Sequence, residues 1–155
     1  MTSLPRTDFS SRLDGTAVRD LLLLLVGWHE DEYVNQQRVD QALDAYRDDR
    51  RLAIVGIEGD DHLFGLLGVE QLTAHRAVIR HIVVHPSTRG RGIGRRMLVQ
   101  AIARFELSAL MAETDADAVG FYKRCGCMVQ SLGEKYPGVE RFSCMWRHTL
   151  GERAH

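Results

Sequence analysis

The stretch HPSTRGRGIGRRM, residues 85–97, constrains the fold of this 155-residue chain more than any other segment. It follows an apolar, β-branched run that must end at Pro86, because proline lacks the N–H that a strand ladder requires. After it, apolar residues recur with helical spacing over residues 94–105. The sequence therefore predicts a strand, a glycine-rich loop and a helix in direct succession.

The loop combines glycines with a dense group of arginines, and both suit an anion at the start of a helix. The first helical turn leaves backbone N–H groups without partners and carries the positive end of the helix dipole. Glycines at positions 90, 92 and 94 allow close approach to a ligand and positive φ. The arginines that add positive charge are Arg89, Arg91, Arg95 and Arg96. The pattern predicts a phosphate-binding loop, with a basic turn that binds nothing as the alternative.

Two widespread phosphate-binding motifs do not fit this loop. A P-loop ends in Gly-Lys-Ser/Thr, and that ending is absent from the sequence. The dinucleotide-binding fingerprint requires a glycine at the position that Arg95 occupies. An unrelated nucleotide-phosphate binder is therefore the least favoured class of function.

Patterns on either side of the loop predict a mixture of helices and strands. Two amphipathic helices are expected first, at residues 16–28 with Asp14 as N-cap, and around residues 39–46. A short helix at residues 116–125, capped by Asp115 and closed by Gly126, is expected later. The strand patterns are RLAIVGIE, HLFGLLGVE, AVIRHIVVH, LSALMAET, CMVQSLGE and VERFSCMW. This order predicts an α/β fold in which a mixed sheet is flanked by helices.

Composition limits the partners and the location that we expect. A formal net charge of −1 gives no overall attraction to nucleic acid or to an acidic membrane surface. The longest apolar run, LLLLLV, is far shorter than the ~20 residues of a membrane span, and the N-terminus lacks the apolar core of a signal peptide. We expect a cytoplasmic protein without nucleic-acid or membrane partners. It would consist of a loose segment at residues 1–14, one domain at residues 15–150 and a tail at residues 151–155.

The three cysteines indicate neither a disulfide framework nor a metal site. Cys125, Cys127 and Cys144 are odd in number and have no paired spacing. A zinc site that adds His148 would need a second Cys-x-x-Cys-like pair, whereas the sequence has only Cys-x-Cys. No bound metal is expected.

Residues 78–128 contain two motifs that resemble those of the GNAT superfamily of N-acetyltransferases. The family's acetyl-CoA loop reads Gln/Arg-x-x-Gly-x-Gly/Ala after a Val-x-Pro element, and here VHP at residues 84–86 precedes RGRGIG at residues 89–94. The family's later helix has an Asn before Ala, then Phe-Tyr, then Gly-Phe. Its matches here are Ala118, Phe121, Tyr122 and Gly126, with Asp115 in place of the usual Asn and Cys127 in place of the usual Phe.

The resemblance implies a mostly antiparallel central sheet, flanked by helices, in which a splayed strand pair forms an acetyl-CoA cleft. Members of the family usually open with a β-strand. The first residues here, MTSLPRTDFSS, make a poor strand. That opening strand is therefore expected to be missing or very short.

The resemblance also implies how acetyl-CoA binds as cosubstrate. Backbone amides of residues 90–94 would hold its pyrophosphate. Backbone groups of Ile82 and Val84 would pair with the pantetheine arm as if it were another strand, and the Val84 amide would polarise the thioester carbonyl. The implied binding set is Ile82, Val83, Val84, Arg89, Gly90, Arg91, Gly92, Ile93, Gly94, Arg95 and Asp115.

For catalysis, the resemblance implies that Tyr122 protonates the leaving thiolate. The alternative is a packed aromatic side chain whose hydroxyl has a structural partner. Two candidate bases, His81 and Glu113, lie on the two strands expected to splay around the thioester. Each has a structural alternative, a half-buried packing histidine or a carboxylate that bonds nearby amides.

Contacts to the acceptor are expected from two acidic loops, which in this family usually line the acceptor side. HEDEY separates the first two helices, and EKYPGVE joins the last two strands. The candidate residues are Trp28, Glu30, Tyr33 and Tyr136. Acidic loops suit a cationic amine, although solvated loop charge explains them equally well.

The resulting hypothesis is an enzyme that transfers acetyl from acetyl-CoA to a small amine, an amino acid, or a protein or peptide amine. Transfer would occur by direct attack in a ternary complex. The alternative is a non-catalytic module of the same fold that senses acyl-CoA. The leucine-rich first helix favours a homodimer.

Overall fold

The helices and strands follow one another in the predicted order in a computed structural model, which describes residues 15–59 and 63–147. The helices are α1 (Thr16–Val26), α2 (Glu32–Asp48), α3 (Ile93–Phe105) and α4 (Val119–Arg124). The strands are β1 (Leu52–Glu58), β2 (Leu63–Thr73), β3 (Arg76–Val84), β4 (Ala109–Asp115), β5 (Met128–Tyr136) and β6 (Val139–Arg147). A 3₁₀ turn, Pro86–Thr88, follows β3. The predictions for residues 1–14, with the Asp14 cap and the opening strand, and for residues 151–155 lie outside the described residues.

The six strands form one sheet in the order β1-β2-β3-β4-β6-β5. Neighbouring strands are antiparallel except β3 and β4, which run parallel. These two strands pair only between residues 76–78 and residues 109–111, and they diverge beyond that point. The expected mixed, mostly antiparallel sheet with a splayed strand pair is confirmed.

Helices cover both faces of the sheet because their apolar stripes match the apolar alternation of the strands. On one face, Leu22 of α1 and Leu43 of α2 are buried in a cluster with Leu66 of β2. On the other face, Met97 of α3 is buried in a cluster with Leu67 of β2. Within the described residues, no helix combines the length and the apolar character that a membrane span requires.

The boundaries of the first two helices differ from the prediction because local hydrogen bonds decide them. Helix α1 ends at Val26 rather than at residue 28, where the Gly27 N–H closes the last turn on the Leu23 carbonyl at 2.8 Å. Helix α2 begins earlier than expected, because the Asp31 carboxylate accepts a hydrogen bond from the Tyr33 N–H at 2.9 Å. The second half of HEDEY, expected in a loop, is therefore helical.

The short helix α4 starts later than predicted. Asp115 is the last residue of β4, and its carboxylate accepts hydrogen bonds at 3.0 Å from the N–H groups of Asp117 and Ala118. These bonds stabilise a turn, so the helix begins only at Val119. Gly126 follows the helix with a φ of 94°, which confirms its expected role at the C-terminal end.

Candidate active site

A cleft of about 980 Å³ opens where β3 and β4 diverge. It is lined by residues 79–84 of β3, the glycine-rich loop, the end of β4 and residues of α4. Beyond Val78, the edge of β3 that turns toward β4 has no strand partner in the described part of the chain. Its backbone N–H and C=O groups are therefore available to a molecule in the cleft.

The structure gathers most of the expected cofactor residues around this cleft. They are Ile82, Val83, Val84, Arg89, Gly90, Gly92, Ile93, Gly94, Arg95 and Asp115. The candidate acid Tyr122 and the candidate bases His81 and Glu113 line the same space. Arg91 is exposed and does not contribute to the lining.

Two glycines of the loop are required by backbone conformation. Gly90 has a φ of 80° and Gly92 a φ of 74°, in the left-handed region that L side chains rarely adopt. A Cβ atom at either position would meet no heavy atom within 4 Å, so crowding is not the reason for glycine. Gly92 is the N-cap of α3, which leaves the first-turn N–H groups of that helix beside open space.

A buried threonine anchors the start of the loop, and sequence reasoning missed it. Thr88 is 2% exposed, and its hydroxyl lies 3.1 Å from the Phe64 carbonyl of β2 and 3.0 Å from the His85 carbonyl. The loop is thereby tied to the strand next to β3. The Pro-Ser-Thr run, a common turn signal, could have indicated this anchor.

Three arginines give the loop end of the cleft a positive charge. Arg89 and Arg95 were expected there, whereas Arg124 comes from α4 and was not. Arg95 and Arg124 both oppose the rise in the pKa of the Cys125 thiol that burial causes, which indicates that the two cations lie near one buried group. Positive charge is thus concentrated at one place in the cleft of a chain whose net charge is −1.

We expect Gly94→Ala to destabilise the protein by about 1–3 kcal/mol, the usual cost of overpacking a filled site. A Cβ atom at position 94 would lie 2.7 Å from Cε1 of Phe121, so α3 and α4 could not keep their contact. At other helix positions, a Gly→Ala change stabilises a protein by about 0.5–1 kcal/mol. The direction of the change in unfolding free energy therefore distinguishes a crowded site from an open one. Denaturant unfolding measures it, and Phe121→Leu should relieve most of the loss in the double variant. A stabilised Gly94→Ala variant would contradict this contact.

Tyr122 is held in a cluster formed by α4, β4 and β6. Its side chain is 6% exposed and is buried together with Ala112 and Cys144. Its ring makes an edge-on contact with Phe121 at 5.4 Å between centroids. Its hydroxyl forms no hydrogen bond with any described residue. Burial is the main reason that the pKa of Tyr122 is raised, so its proton is retained at neutral pH.

Glu113 is held by two cations at the edge of the cleft. Its Oε1 accepts hydrogen bonds from Lys135 Nζ at 3.1 Å and from Arg141 Nε at 3.3 Å. These bonds lower the pKa of the carboxyl group, which makes it a weaker proton acceptor at neutral pH. His81 is only partly exposed, and burial followed by the charge of Arg80 lowers its pKa, so the ring is neutral at pH 7.

The four expected acceptor residues do not line the cleft. Trp28 is 74% exposed and stacks under the Arg38 guanidinium at 4.2 Å. Tyr33 and Tyr136 are each 69% exposed, and Glu30 is exposed as well. The cleft lining does include residues 24–26 of α1, Arg80 and Arg141.

The three cysteines lie in apolar surroundings. Cys125 and Cys144 are buried, and all three are free thiols. Burial raises the pKa of Cys127 to about 12, so this thiol is not activated. Across residues 15–59 and 63–147, no three His, Cys, Asp or Glu side chains are grouped so that they could hold a metal ion. His148 lies outside those ranges.

Comparison with known proteins now gives the family. The model of the acetyltransferase (GNAT) family matches residues 19–127, which include both splayed strands and the glycine-rich loop. The chain belongs to this family of acetyltransferases. Among curated proteins, none has a sequence that matches it.

Solved structures of low sequence identity share the fold. An aminoglycoside 6'-N-acetyltransferase complexed with coenzyme A has a TM-score of 0.65 at 15% identity, with 99% of this chain and 98% of that chain covered. The PaiA N-acetyltransferase of Thermoplasma acidophilum, in complex with coenzyme A, has a TM-score of 0.63 at 13% identity and covers 90% and 94%. A variant of spermidine N-acetyltransferase SpeG from Vibrio cholerae has a TM-score of 0.60 at 16% identity and covers 83% and 90%.

These findings confirm two of the expectations drawn from the sequence and support a third. The family and the α/β fold are as the resemblance implied, and the neighbours crystallised with coenzyme A support acetyl-CoA as the cosubstrate. The protein is an acetyltransferase.

Proposed function

We propose that the protein transfers the acetyl group of acetyl-CoA to an amine by direct attack in a ternary complex. The observation that carries the proposal is that the glycine-rich loop, the free edge of β3 and Tyr122 line one cleft. A cosubstrate that lies along this edge would have its diphosphate at the loop and its thioester near α4. The acceptor would enter from the end lined by α1.

The loop and the strand edge have complementary tasks in binding. Backbone N–H groups of residues 90–94 would donate to the diphosphate, with Arg89 and Arg95 adding charge. The pantetheine amides would pair with the backbone of Ile82 and Val84, as an added strand does at an open sheet edge. The Val84 N–H would polarise the thioester carbonyl.

The reaction forms one C–N bond and breaks one C–S bond. The amine nitrogen attacks the thioester carbon, the thiolate leaves, and Tyr122 donates a proton to the sulfur. The amine must be neutral to attack, and deprotonating an alkylammonium with a pKa of ~10.4 at pH 7 costs about 4–5 kcal/mol. A protein group or water must therefore take up the proton that the ammonium loses.

We expect Glu113→Gln to lower kcat less than about tenfold, whereas loss of a general base costs roughly 100-fold or more. The lowered pKa of Glu113, caused by its bonds to Lys135 and Arg141, makes it a poor base at neutral pH. Steady-state kinetics at saturating acetyl-CoA measure the effect. Glu134→Gln, on an exposed carboxylate outside the cleft lining, is the matched control. A 100-fold loss in Glu113→Gln alone would identify this residue as the base.

The acceptor that we propose is an amine in the broad sense: a small amine, an amino acid, or a protein or peptide amine. The names of the neighbours support this class, since one is a spermidine and another an aminoglycoside N-acetyltransferase. The homodimer and the cytoplasmic location expected from the sequence stay predictions.

Calorimetry with acetyl-CoA, followed by a free-thiol assay across a panel of amines, tests the proposal. We expect saturable binding and thiol release that depends on at least one amine class. The panel should hold a polyamine, an aminoglycoside, free amino acids and a short peptide. Saturable binding with no thiol release for any of them would favour the acyl-CoA-sensing module. Absence of saturable binding would overturn the proposal.

A further inference from the structure

The side chain of His81 is held by a hydrogen bond from the helical layer above the sheet. Tyr46, in the last turns of α2, is 7% exposed, and its hydroxyl oxygen lies 2.6 Å from Nδ1 of His81. The two ring centroids are 5.6 Å apart, at an interplanar angle of 57°. The two residues are 35 positions apart in the sequence, so only the tertiary fold brings them together.

A glycine in β2 makes room for this pair. Gly68 is the direct partner of His81 in the β2–β3 register. A Cβ atom at Gly68 would overlap the hydroxyl group of Tyr46 and lie 3.0 Å from its Cε1. The register shifts next to this position, so Arg80 is an extra residue in β3 that bends the strand beside His81. Three elements therefore combine to seat the tyrosine hydroxyl against the histidine ring.

The direction of the hydrogen bond follows from the partners that are present. Within the described residues, the Tyr46 hydroxyl has His81 as its sole hydrogen-bond partner. A buried hydroxyl proton without an acceptor costs about 1–3 kcal/mol, so the O–H group donates to Nδ1. Burial raises the pKa of Tyr46, which keeps the proton on the tyrosine. Nδ1 of a neutral His81 is then the acceptor, and the ring proton resides on Nε2.

We infer that Tyr46 is a positioning residue that holds neutral His81 with its proton on Nε2, so that His81 offers the cleft an N–H donor and is not the base. The part of this inference that concerns acetyl transfer rests on the proposed function. The tautomer itself does not. Because Glu113 is also a poor base, the acceptor amine would have to reach the thioester already neutral or lose its proton to water.

The charged and titratable groups around His81 agree with a neutral ring. Arg80 is its neighbour on β3, and Arg80 in turn forms an ion pair with Glu70 of β2. Arg51 lies 3.9 Å from the other oxygen of Glu70. Tyr46 is the group that α2 contributes. The carboxylate of Glu70 is thus engaged by two arginines, while burial and then the positive charge of Arg80 lower the pKa of His81 and disfavour imidazolium.

Long-range ¹H–¹⁵N spectra of the full-length, ¹⁵N-histidine-labelled protein at neutral pH test the tautomer. The chain has seven histidines, and the signals missing from His81→Gln identify those of His81. We expect Nδ1 to have the shift of an unprotonated acceptor and Nε2 that of a protonated nitrogen. A proton on Nδ1 in the wild-type protein would overturn the inference.

Tyr46→Phe tests the role of the hydroxyl, since it retains the ring and removes only the donor. Loss of a hydrogen bond that stabilises the neutral imidazole raises the pKa of His81, by about 0.5–1 unit in the same spectra. A pKa that stays unchanged or falls would contradict the inference. If this variant does not fold, the tautomer observed in the wild-type spectra is sufficient to test the inference.

Kinetics of two His81 variants separate a donor from a base. Glutamine can offer an N–H near the position of Nε2 but cannot accept the proton of an ammonium, whereas alanine can do neither. We expect His81→Gln to keep kcat within about tenfold of the wild type and His81→Ala to lose more. An equal loss of 100-fold or more in both variants would make His81 the base. Failure of the protein to bind acetyl-CoA would remove the proposed function and leave the tautomer result standing.

Discussion

Replacing Gly92 by valine is expected to weaken the binding of acetyl-CoA roughly 100- to 1,000-fold. At a φ of 74°, a β-branched residue costs about 1–2 kcal/mol in backbone strain, and the loop would relax out of this conformation. Relaxation moves the first-turn N–H groups of α3, and each hydrogen bond to a charged phosphate contributes about 1.5–3 kcal/mol. Together these losses come to about 3–4 kcal/mol in binding free energy. Titration calorimetry of the purified variant measures the change in Kd.

Gly138→Val is the matched control for this prediction. Gly138 lies between β5 and β6 with a φ of 78°, a Cβ atom there would also meet nothing within 4 Å, and the residue does not line the cleft. We expect similar strain in the control and an acetyl-CoA Kd within about twofold of the wild type, because the same backbone cost falls outside the site. If Gly92→Val binds acetyl-CoA as tightly as the control does, the diphosphate is not held by this loop.

Tyr122→Phe is expected to lower kcat about 100-fold while leaving the Kd for acetyl-CoA within about twofold, since the hydroxyl acts only when the thiolate leaves. The phenylalanine ring retains the packing against Ala112 and Cys144. The leaving thiol has a pKa of ~8.5 and an unperturbed tyrosine ~10, so protonation is uphill by about 2 kcal/mol, and the raised pKa of Tyr122 makes it more so. The acid therefore assists the reaction without being indispensable, and residual activity remains.

The pH dependence of the wild-type enzyme provides an independent check on Tyr122. A pKa raised by burial keeps the acid protonated, so titration of Tyr122 should cause no fall in kcat up to about pH 9. Single-turnover rates across this range, with acetyl-CoA and acceptor saturating, measure it.

A large rise in Kd for acetyl-CoA with a normal kcat in Tyr122→Phe would show that the side chain binds the cosubstrate and does not donate the proton.

Local rules were sufficient for the glycine-rich loop. The positive φ values of Gly90 and Gly92, the helix that starts at Ile93 and the strand that ends before Pro86 all depend on residues within a few positions of one another. Propensity, turn chemistry and apolar periodicity act over that range. The prediction of Gly126 as a helix terminator succeeded for the same reason.

Local rules do not determine which side chains line the cleft on its acceptor side. Trp28, Glu30, Tyr33 and Tyr136 were expected there from loop composition and family resemblance, yet none of them lines the cleft. The residues that do, at 24–26 of α1 with Arg80 and Arg141, have no special local pattern. Leu24 in particular is one of several leucines in an apolar helix, and the sequence does not distinguish it as 53% exposed.

The sequence by itself determined the conformation of the glycine-rich loop, the order of helices and strands, and the family. Each of these depends on residues that are close to one another in the sequence. Tertiary structure alone decided where β3 and β4 separate, after three paired positions, that Arg124 lies with the loop arginines, and that Tyr46 contacts His81 at Gly68. These features depend on strand register and on how the helices pack against the sheet. Both arise from packing between distant segments, which no local pattern in the sequence specifies.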